Sequence, residues 1–326
     1  MSETELSGYP KGWFVVCFSA ELPPLGVRPL RYFGQQLVAF RAEDGAVHIL
    51  DAFCPHLGAH LGFGGTVAGG AVRCPFHAWE FDGTGRCTAI PYAKKIPPGA
   101  RVRPWPVREI NGVVLVYHDR TGADPAFEVP VIPEYGSDEW LPWSTGIYHV
   151  KTHPREIVDN LADRAHFPAV HRTEIHDFSF GVEGHRAWQK VKGRAVLAGG
   201  GVDEFSSSTT YHGPGYLLMR MDGALQNYML VAHTPIDEGH LDLRVAVTLK
   251  IVGNRARTEK YVAGYMANLK AGFEDDLHIW EHKVYVDPPA LCDGDGPVGR
   301  LRRWYRQFYG SSDGGSAPGP GVAHAD

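Results

Sequence analysis

The chain has 326 residues, 44% of them apolar and 21% charged, which is ordinary globular material in a length that suits two domains. Its net charge of −5 argues against a nucleic-acid partner or a basic membrane-binding face, and no apolar run approaches the roughly 20 residues that span a bilayer. The acidic, polar start Met1-Ser2-Glu3-Thr4-Glu5 is not a secretory signal, so a cytoplasmic protein is expected.

In chain order, residues 1–8 read as a short mobile tail, and residues 9–118 as a domain of short strands. Trp13–Phe18, Gln36–Arg41, Val47–Asp51 and Val113–Tyr117 are apolar and rich in β-branched or aromatic residues, and Gly and Pro punctuate them. Inside this block, Cys54 and His56 are followed, after seventeen residues, by Cys74 and His77. Two soft thiolates and two imidazoles can hold a [2Fe–2S] cluster in which histidine replaces cysteine on one iron, the Rieske arrangement. Pro55, Gly58 and Pro75 shape tight loops around these residues. Zinc also takes Cys2His2 sets, but zinc motifs usually separate the cysteine pair from the histidine pair. Here each half supplies one of each. Cys17, Cys87 and Cys292 are left over and read as free thiols of a reducing compartment.

Residues 119–143 hold repeated prolines and little periodicity, and read as a linker. The second domain, 144–309, opens with a predicted helix over 154–166 that Phe167-Pro168 should end or kink. Strands are predicted at Ala187–Leu197, Glu204–Tyr211, Tyr216–Arg220, Tyr228–Pro235 and Leu241–Val252. Thr258–Tyr285 runs without a proline and is the longest predicted helix. The tail 310–326 is rich in Gly, Ser and Pro and should be disordered. The implied class is α+β, with a sheet curled around one long C-terminal helix.

The short helix carries Asn160, Asp163 and His166, and His171 follows. At i, i+3 and i+6 the first three would stack along one helical side, and the Pro168 break would turn His171 towards His166. On the long helix, Val262, Met266, Leu269, Phe273 and Trp280 form one apolar stripe, within about 60° of each other at about 100° per residue. Asp276 falls at its edge, about 60° from Phe273. A carboxylate set against the core is costly unless something charged pairs with it. A buried salt bridge would answer that cost, and so would a metal ion. His166, His171 and Asp276 together make the 2-His-1-carboxylate triad of non-haem Fe(II) oxygenases, which leaves positions open for oxygen. His278 and His282 lie off the stripe and read as solvent-exposed or packing residues. The basic run Arg300, Arg302, Arg303 and Arg306 reads as a solvated face.

Cys54-x-His56, Cys74-x-x-His77 and Asp163-x-x-His166-x4-His171, with Asp276 on the long helix, resemble the terminal oxygenase component of Rieske non-haem iron oxygenases over nearly the whole chain. Asp293-Gly-Asp-Gly-Pro297, Arg303-Trp-Tyr-Arg-Gln-Phe-Tyr309, His212-Gly-Pro-Gly215 and Thr234-Pro-Ile-Asp237 are similar to the 3-ketosteroid 9α-hydroxylases and sterol 7-desaturases. The resemblance implies an N-terminal Rieske β-domain and a helix-grip, START-like catalytic domain. It implies a homotrimer in which Asp163 bridges His77 of one subunit and His166 of the next. It also implies a bulky apolar substrate, O2 as co-substrate, and electrons from NAD(P)H through a ferredoxin or a flavin/iron–sulfur reductase. Asn160 is a further candidate beside the iron. Tyr211, Tyr216, Met219, Met221 and Tyr228 are candidates for a pocket lining, with core packing the simpler reading for each. The competing readings are an electron-carrying Rieske ferredoxin, a lipid-binding helix-grip protein, and a desaturase, oxidative cyclase or demethylase of the same family.

Overall fold

The computed structural model describes residue 6 and residues 8–196, 201–223 and 225–310. The N-terminal part is built from β1 (Gly12–Phe18), β2 (Val27–Tyr32), β3 (Gln35–Arg41), β4 (Val47–Asp51), β5 (Thr66–Ala68), β6 (Ala71–Arg73), β7 (Glu80–Asp82), β8 (Cys87–Ala89), β9 (Pro104–Trp105), β10 (Val107–Ile110) and β11 (Val113–His118). They form three small sheets, ordered β1-β11-β10, β2-β3-β4-β9 and β5-β6-β7-β8. All seven residues of β1 and all six of β11 are buried, because this sheet is covered on both faces. Such strands read as continuous apolar runs rather than alternating ones. The three-residue strands β5 to β8 carry too little pattern to be seen in sequence.

The second part is one seven-stranded antiparallel sheet and its helices. Its elements are β12 (Ser144–Val150), α1 (Pro154–Val158), a 3-10 turn (Asp159–Leu161), α2 (His166–Val170), β13 (Thr173–Glu183), β14 (Arg186–Val196), β15 (Val202–His212), β16 (Tyr216–Asp222), β17 (Asn227–Asp237), β18 (His240–Leu249), α3 (Arg255–His282) and α4 (Val298–Arg306). The strand order is β12-β18-β17-β16-β15-β14-β13, a meander with β12 closing one edge. Val231 pairs in register with Leu217 and Val245, so these side chains share a face. Phe273 and Trp280 of α3 pack there, with Leu243. Asn254 caps α3 by accepting a hydrogen bond from the Arg257 N–H at 2.8 Å.

Several expectations change here. The helix predicted over 154–166 is broken into α1, the 3-10 turn and α2. Phe167 and Pro168 lie inside α2 and do not end it; Pro168 sits in the first turn, where a missing N–H costs nothing. The break falls at 162–165, where the Asp163 carboxylate accepts from the N–H groups of Ala165 (2.9 Å) and His166 (3.2 Å) and competes with helical bonding. The long helix is followed by α4, so it is not the final element. Arg302 and Arg306 of α4 are not simply solvated, since they pair with Asp159 (2.6 Å) and Asp287 (2.7 Å). Residues 1–5 and 7 of the expected N-terminal tail, Leu197 of a predicted strand, and 311–326 of the C-terminal tail lie outside the described residues. Leu6 packs with Val158, Leu161 and Tyr305, so the tail is held at that point. No helix among the described residues is long and apolar enough to cross a membrane.

The two parts share a buried seam. Thr234 donates to the Val15 carbonyl at 2.6 Å, and Tyr32 donates to Asp242 at 2.6 Å while accepting from Arg244 at 2.8 Å. Two fully packed histidines lie close by. His118 bonds the Pro10 carbonyl (2.9 Å) and stacks on Phe33; His233 meets the Tyr211 hydroxyl at 3.1 Å. Burial pushes His118 down to about 4 and His233 down to about 3. Both are neutral in the folded chain and protonate near pH 6.5 when unfolded. Their contribution is therefore complete above pH 6.5 and falls away as pH drops towards 4. Together they should cost roughly 4 kcal/mol of stability between pH 7 and pH 5. The midpoint of urea unfolding, followed by circular dichroism, should fall over that interval; a flat profile would show that these histidines are not buried neutral.

Candidate metal centres

The Cys/His quartet sits on two loops of matching design. Cys54 and His56 follow β4, and Cys74 and His77 join β6 to β7. In the first loop the Cys54 N–H bonds Ala59 and the Gly58 N–H bonds Cys54; in the second the Cys74 N–H bonds Trp79 and the Ala78 N–H bonds Cys74. Gly58 and Ala78, each four residues after its cysteine, have φ of 73° and 57°. That left-handed turn is easy for glycine and costly for alanine. The loops bring the donors together in like pairs. The Cys54 and Cys74 thiols are hydrogen-bonded to each other, and the His56 and His77 rings lie 4.6 Å apart at 70°. Burial pushes the Cys54 thiol up to about 11. His56 Nδ1 is buried with no hydrogen-bond partner among the described residues. An orphaned ring nitrogen of that kind needs an explanation, and a metal bond is one. Soft sulfur on one side and imidazole on the other fit a Rieske cluster.

The second centre forms where α2 meets α3. His166 opens α2 and His171 caps its end, with ring centroids 5.1 Å apart at 80°. The Nδ1 of His166 lies 2.6 Å from the Asp163 carbonyl, which holds the proton there and leaves Nε2 free as a ligand. His171 Nε2 lies 3.4 Å from the Asp276 carboxylate. Asp276 is 7% exposed, and burial pushes its carboxyl up against the opposing pull of His171. Burial pushes His166 down. Among the described residues no three His, Cys, Asp or Glu side chains form a closed metal-binding group; these three are joined by the pairwise contacts just given. One neutral imidazole nitrogen, a second imidazole and a buried carboxylate are the donor types that non-haem iron takes.

Asn160 bridges the site. It hydrogen-bonds the Asp276 carboxylate and accepts from Trp280 Nε1 at 3.4 Å. Asp163 keeps its carboxylate 3.8 Å from His166 Nδ1, with 38% of its side chain exposed. The neighbouring Asp159 was invisible as a site residue in sequence. It is held by Arg302 through bonds of 2.6, 3.1 and 3.2 Å, which ties the segment carrying the candidate ligands to α4. The expected pocket aromatics do not line an opening. Tyr211 and Tyr216 are fully buried, and the Tyr216 hydroxyl accepts from Asn111 at 3.1 Å. Tyr228 packs on Trp140 and bonds Glu134. A different row crosses the sheet face that looks at α3: Phe180, Gln189, Thr209, Met219, Met229 and Val247 in successive register pairs. Within it Gln189 Oε1 and Thr209 Oγ1 are buried without hydrogen-bond partners among the described residues.

Comparison with known proteins matches residues 12–106 to the Rieske [2Fe-2S] domain and residues 116–309 to the 3-ketosteroid 9alpha-hydroxylase C-terminal domain. A probable 3-ketosteroid-9-alpha-monooxygenase oxygenase component of Rhodococcus rhodochrous is 36% identical over 320 residues, covering 92% of this chain and 80% of that one. The corresponding component of Mycobacterium tuberculosis is 34% identical over 319 residues, covering 92% and 82%. A cholesterol 7-desaturase of Xenopus laevis is 31% identical over 338 residues, covering 93% and 72%. Among solved structures, dicamba monooxygenase bound to dicamba shares the fold, with a TM-score of 0.76 at 21% identity over 93% of this chain and 98% of that one. With a Rieske domain, a catalytic domain of this type and relatives aligned over nearly its full length, the chain belongs to the 3-ketosteroid 9α-hydroxylase group of Rieske oxygenases, as an oxidoreductase and terminal oxygenase component.

Proposed function

We propose that this oxygenase hydroxylates a C–H bond of a bulky, apolar, steroid-like molecule, with a Rieske cluster on Cys54, His56, Cys74 and His77 and a mononuclear iron on His166, His171 and Asp276. The observation that carries the reading is the buried Asp276 carboxylate 3.4 Å from His171, on a chain that already bears the Rieske quartet. When bound, the cluster supplies single electrons and the iron supplies oxygen activation.

The chain's own residues do the rest. The Asp163 carbonyl fixes the His166 tautomer, and Asn160 orients Asp276. Phe273 and Trp280 cover the sheet above the site and exclude water from it. Phe180, Met219, Met229 and Val247 offer an apolar bed, and the unpartnered Gln189 and Thr209 can meet a substrate oxygen. Such a bed suits a large molecule with few polar groups. In a homotrimer, Asp163 links His166 to His77 of a neighbouring copy and holds both rings in place. Electrons derive from NAD(P)H through a ferredoxin or a flavin/iron–sulfur reductase. The resemblance to a cholesterol 7-desaturase favours a second reading, desaturation of the same substrate class.

The test is a single turnover of chemically reduced protein with a panel of 3-ketosteroids, sterols and unrelated polycyclic compounds. One hydroxylated steroid, formed without any reductase, is expected. A new double bond instead would select desaturation, and product only from non-steroid compounds would overturn the substrate class.

A further inference from the structure

The reaction leaves one surface of the Rieske domain unexplained. From Gly83 to Pro104 the chain carries five cations, Arg86, Lys94, Lys95, Arg101 and Arg103, and no carboxylate. All five are exposed. Arg103 lies over the Trp105 ring at 4.5 Å and acts on Asp51. The other four have no ion-pair partner among the described residues. Arg86 and Arg101 are direct cross-strand partners, and like charges placed opposite each other destabilise a ladder. The nearest carboxylates form no ion pair with them among the described residues: Asp82 accepts from Thr84 and from the Arg86 backbone N–H, and Glu80 is paired with Arg73 at 2.7 Å. An uncompensated basic strip on a molecule of net charge −5 is a local feature that an acidic surface would complement.

The strip also touches the candidate cluster. Tyr92, 62% exposed, accepts a hydrogen bond from Trp79 Nε1 at 2.8 Å. Trp79 is buried and lies flat on the His56 ring, 4.6 Å away at 7°. Two contacts therefore connect the solvent-facing phenol to a cluster ligand, on the opposite ring from His77.

We infer that Arg86, Lys94, Lys95 and Arg101 form the docking face for an acidic electron-donor protein, an iron–sulfur or flavin protein, which seats its redox group against Tyr92. This rests on the reading that the quartet holds a redox cluster. Each encounter passes one electron: the donor is oxidised by one, the cluster is reduced by one, and no bond is made or broken. A nucleic acid or an anionic bilayer would meet a strip too short to offset the overall negative charge.

The experiment uses the full holoprotein and a reduced plant-type [2Fe–2S] ferredoxin, an acidic protein, as probe. Stopped-flow absorbance gives the second-order rate of cluster reduction at about 0.05 M ionic strength, where surface charges are screened over about 14 Å. The K94E/K95E variant and the R86Q/R101Q variant should each lose about tenfold or more in that rate, in the range expected for lost steering. Their salt dependence should flatten and converge with wild type near 1 M. Oligomeric state, cluster absorption and reduction by dithionite should be unchanged. Equal rates for wild type and variants, or no salt dependence in wild type, overturn the docking face. Tighter binding of a short DNA duplex or of phosphatidylserine vesicles than of ferredoxin overturns the partner class. Absence of cluster absorption in wild type would sink the redox reading itself, a distinct result.

Discussion

Asp276→Ala is expected to remove the mononuclear iron and with it all measurable turnover, a loss of at least about 100-fold given what even outer-shell partners of a metal ligand contribute. The argument is electrostatic as well as geometric. Asp276 sits on the packed side of α3 between Phe273 and Trp280, 7% exposed, where a carboxylate is expensive to keep without a counter-charge. Its neighbours are an imidazole at 3.4 Å and the Asn160 amide; the proposed divalent ion would complete the compensation. Iron analysis separates this from general damage. Wild type should hold three irons per chain and the variant two, with the electron paramagnetic resonance of the reduced cluster unchanged. Truncation of a buried carboxylate leaves a small cavity but removes a desolvated charge, so the fold should survive. A variant that keeps three irons and still forms product would show that Asp276 is not a ligand.

Much of this was legible in the chain because chemistry-bearing residues carry their own signature. Cys54, His56, Cys74 and His77 have a spacing that only two loops can satisfy, and the buried strands β1 and β11 announce themselves as apolar runs. Asp276 was readable because α3 runs 28 residues, long enough for helical phase to mean something. What was not legible depended on short elements and on competition between local bonds. Over 154–166 the sequence predicts one helix, but the Asp163 carboxylate takes two backbone N–H groups and divides it. That division sets His166 and His171 at opposite ends of a five-residue helix. The α4 helix was hidden inside a basic run, and its role appears only when Arg302 reaches back 143 residues to Asp159. The stacking of Trp79 on His56 is a tertiary fact that no local pattern encodes. Tyr211, Tyr216 and Tyr228 are buried, in line with core packing as the simpler reading for each, since a large aromatic residue is more often core than lining.

Asp163 offers the second large effect, and two substitutions separate its local role from the bridging role proposed for it. One oxygen accepts from the Ala165 and His166 N–H groups and shapes the turn that presents His166. The other lies 3.8 Å from His166 Nδ1 on a side chain left 38% exposed, where the neighbouring copy of the proposed trimer would reach it. Asp163→Asn keeps an acceptor for the turn but removes the charge, so iron content and fold should match wild type. Reoxidation of the reduced cluster in the presence of substrate and oxygen should nevertheless slow by about 100-fold or more, the range for residues that orient metal ligands. Asp163→Ala removes both functions. It should show the same slow reoxidation together with lower iron occupancy and a stability lower by about 1 kcal/mol for the lost cap-like bonds, read as a lower melting temperature. A purely local role predicts instead that Asn is nearly wild type in every readout and that Ala is impaired only through lost iron. Wild-type reoxidation kinetics in Asp163→Asn, with the oligomer intact by light scattering, would therefore confine Asp163 to its own turn and place the path between the two centres elsewhere.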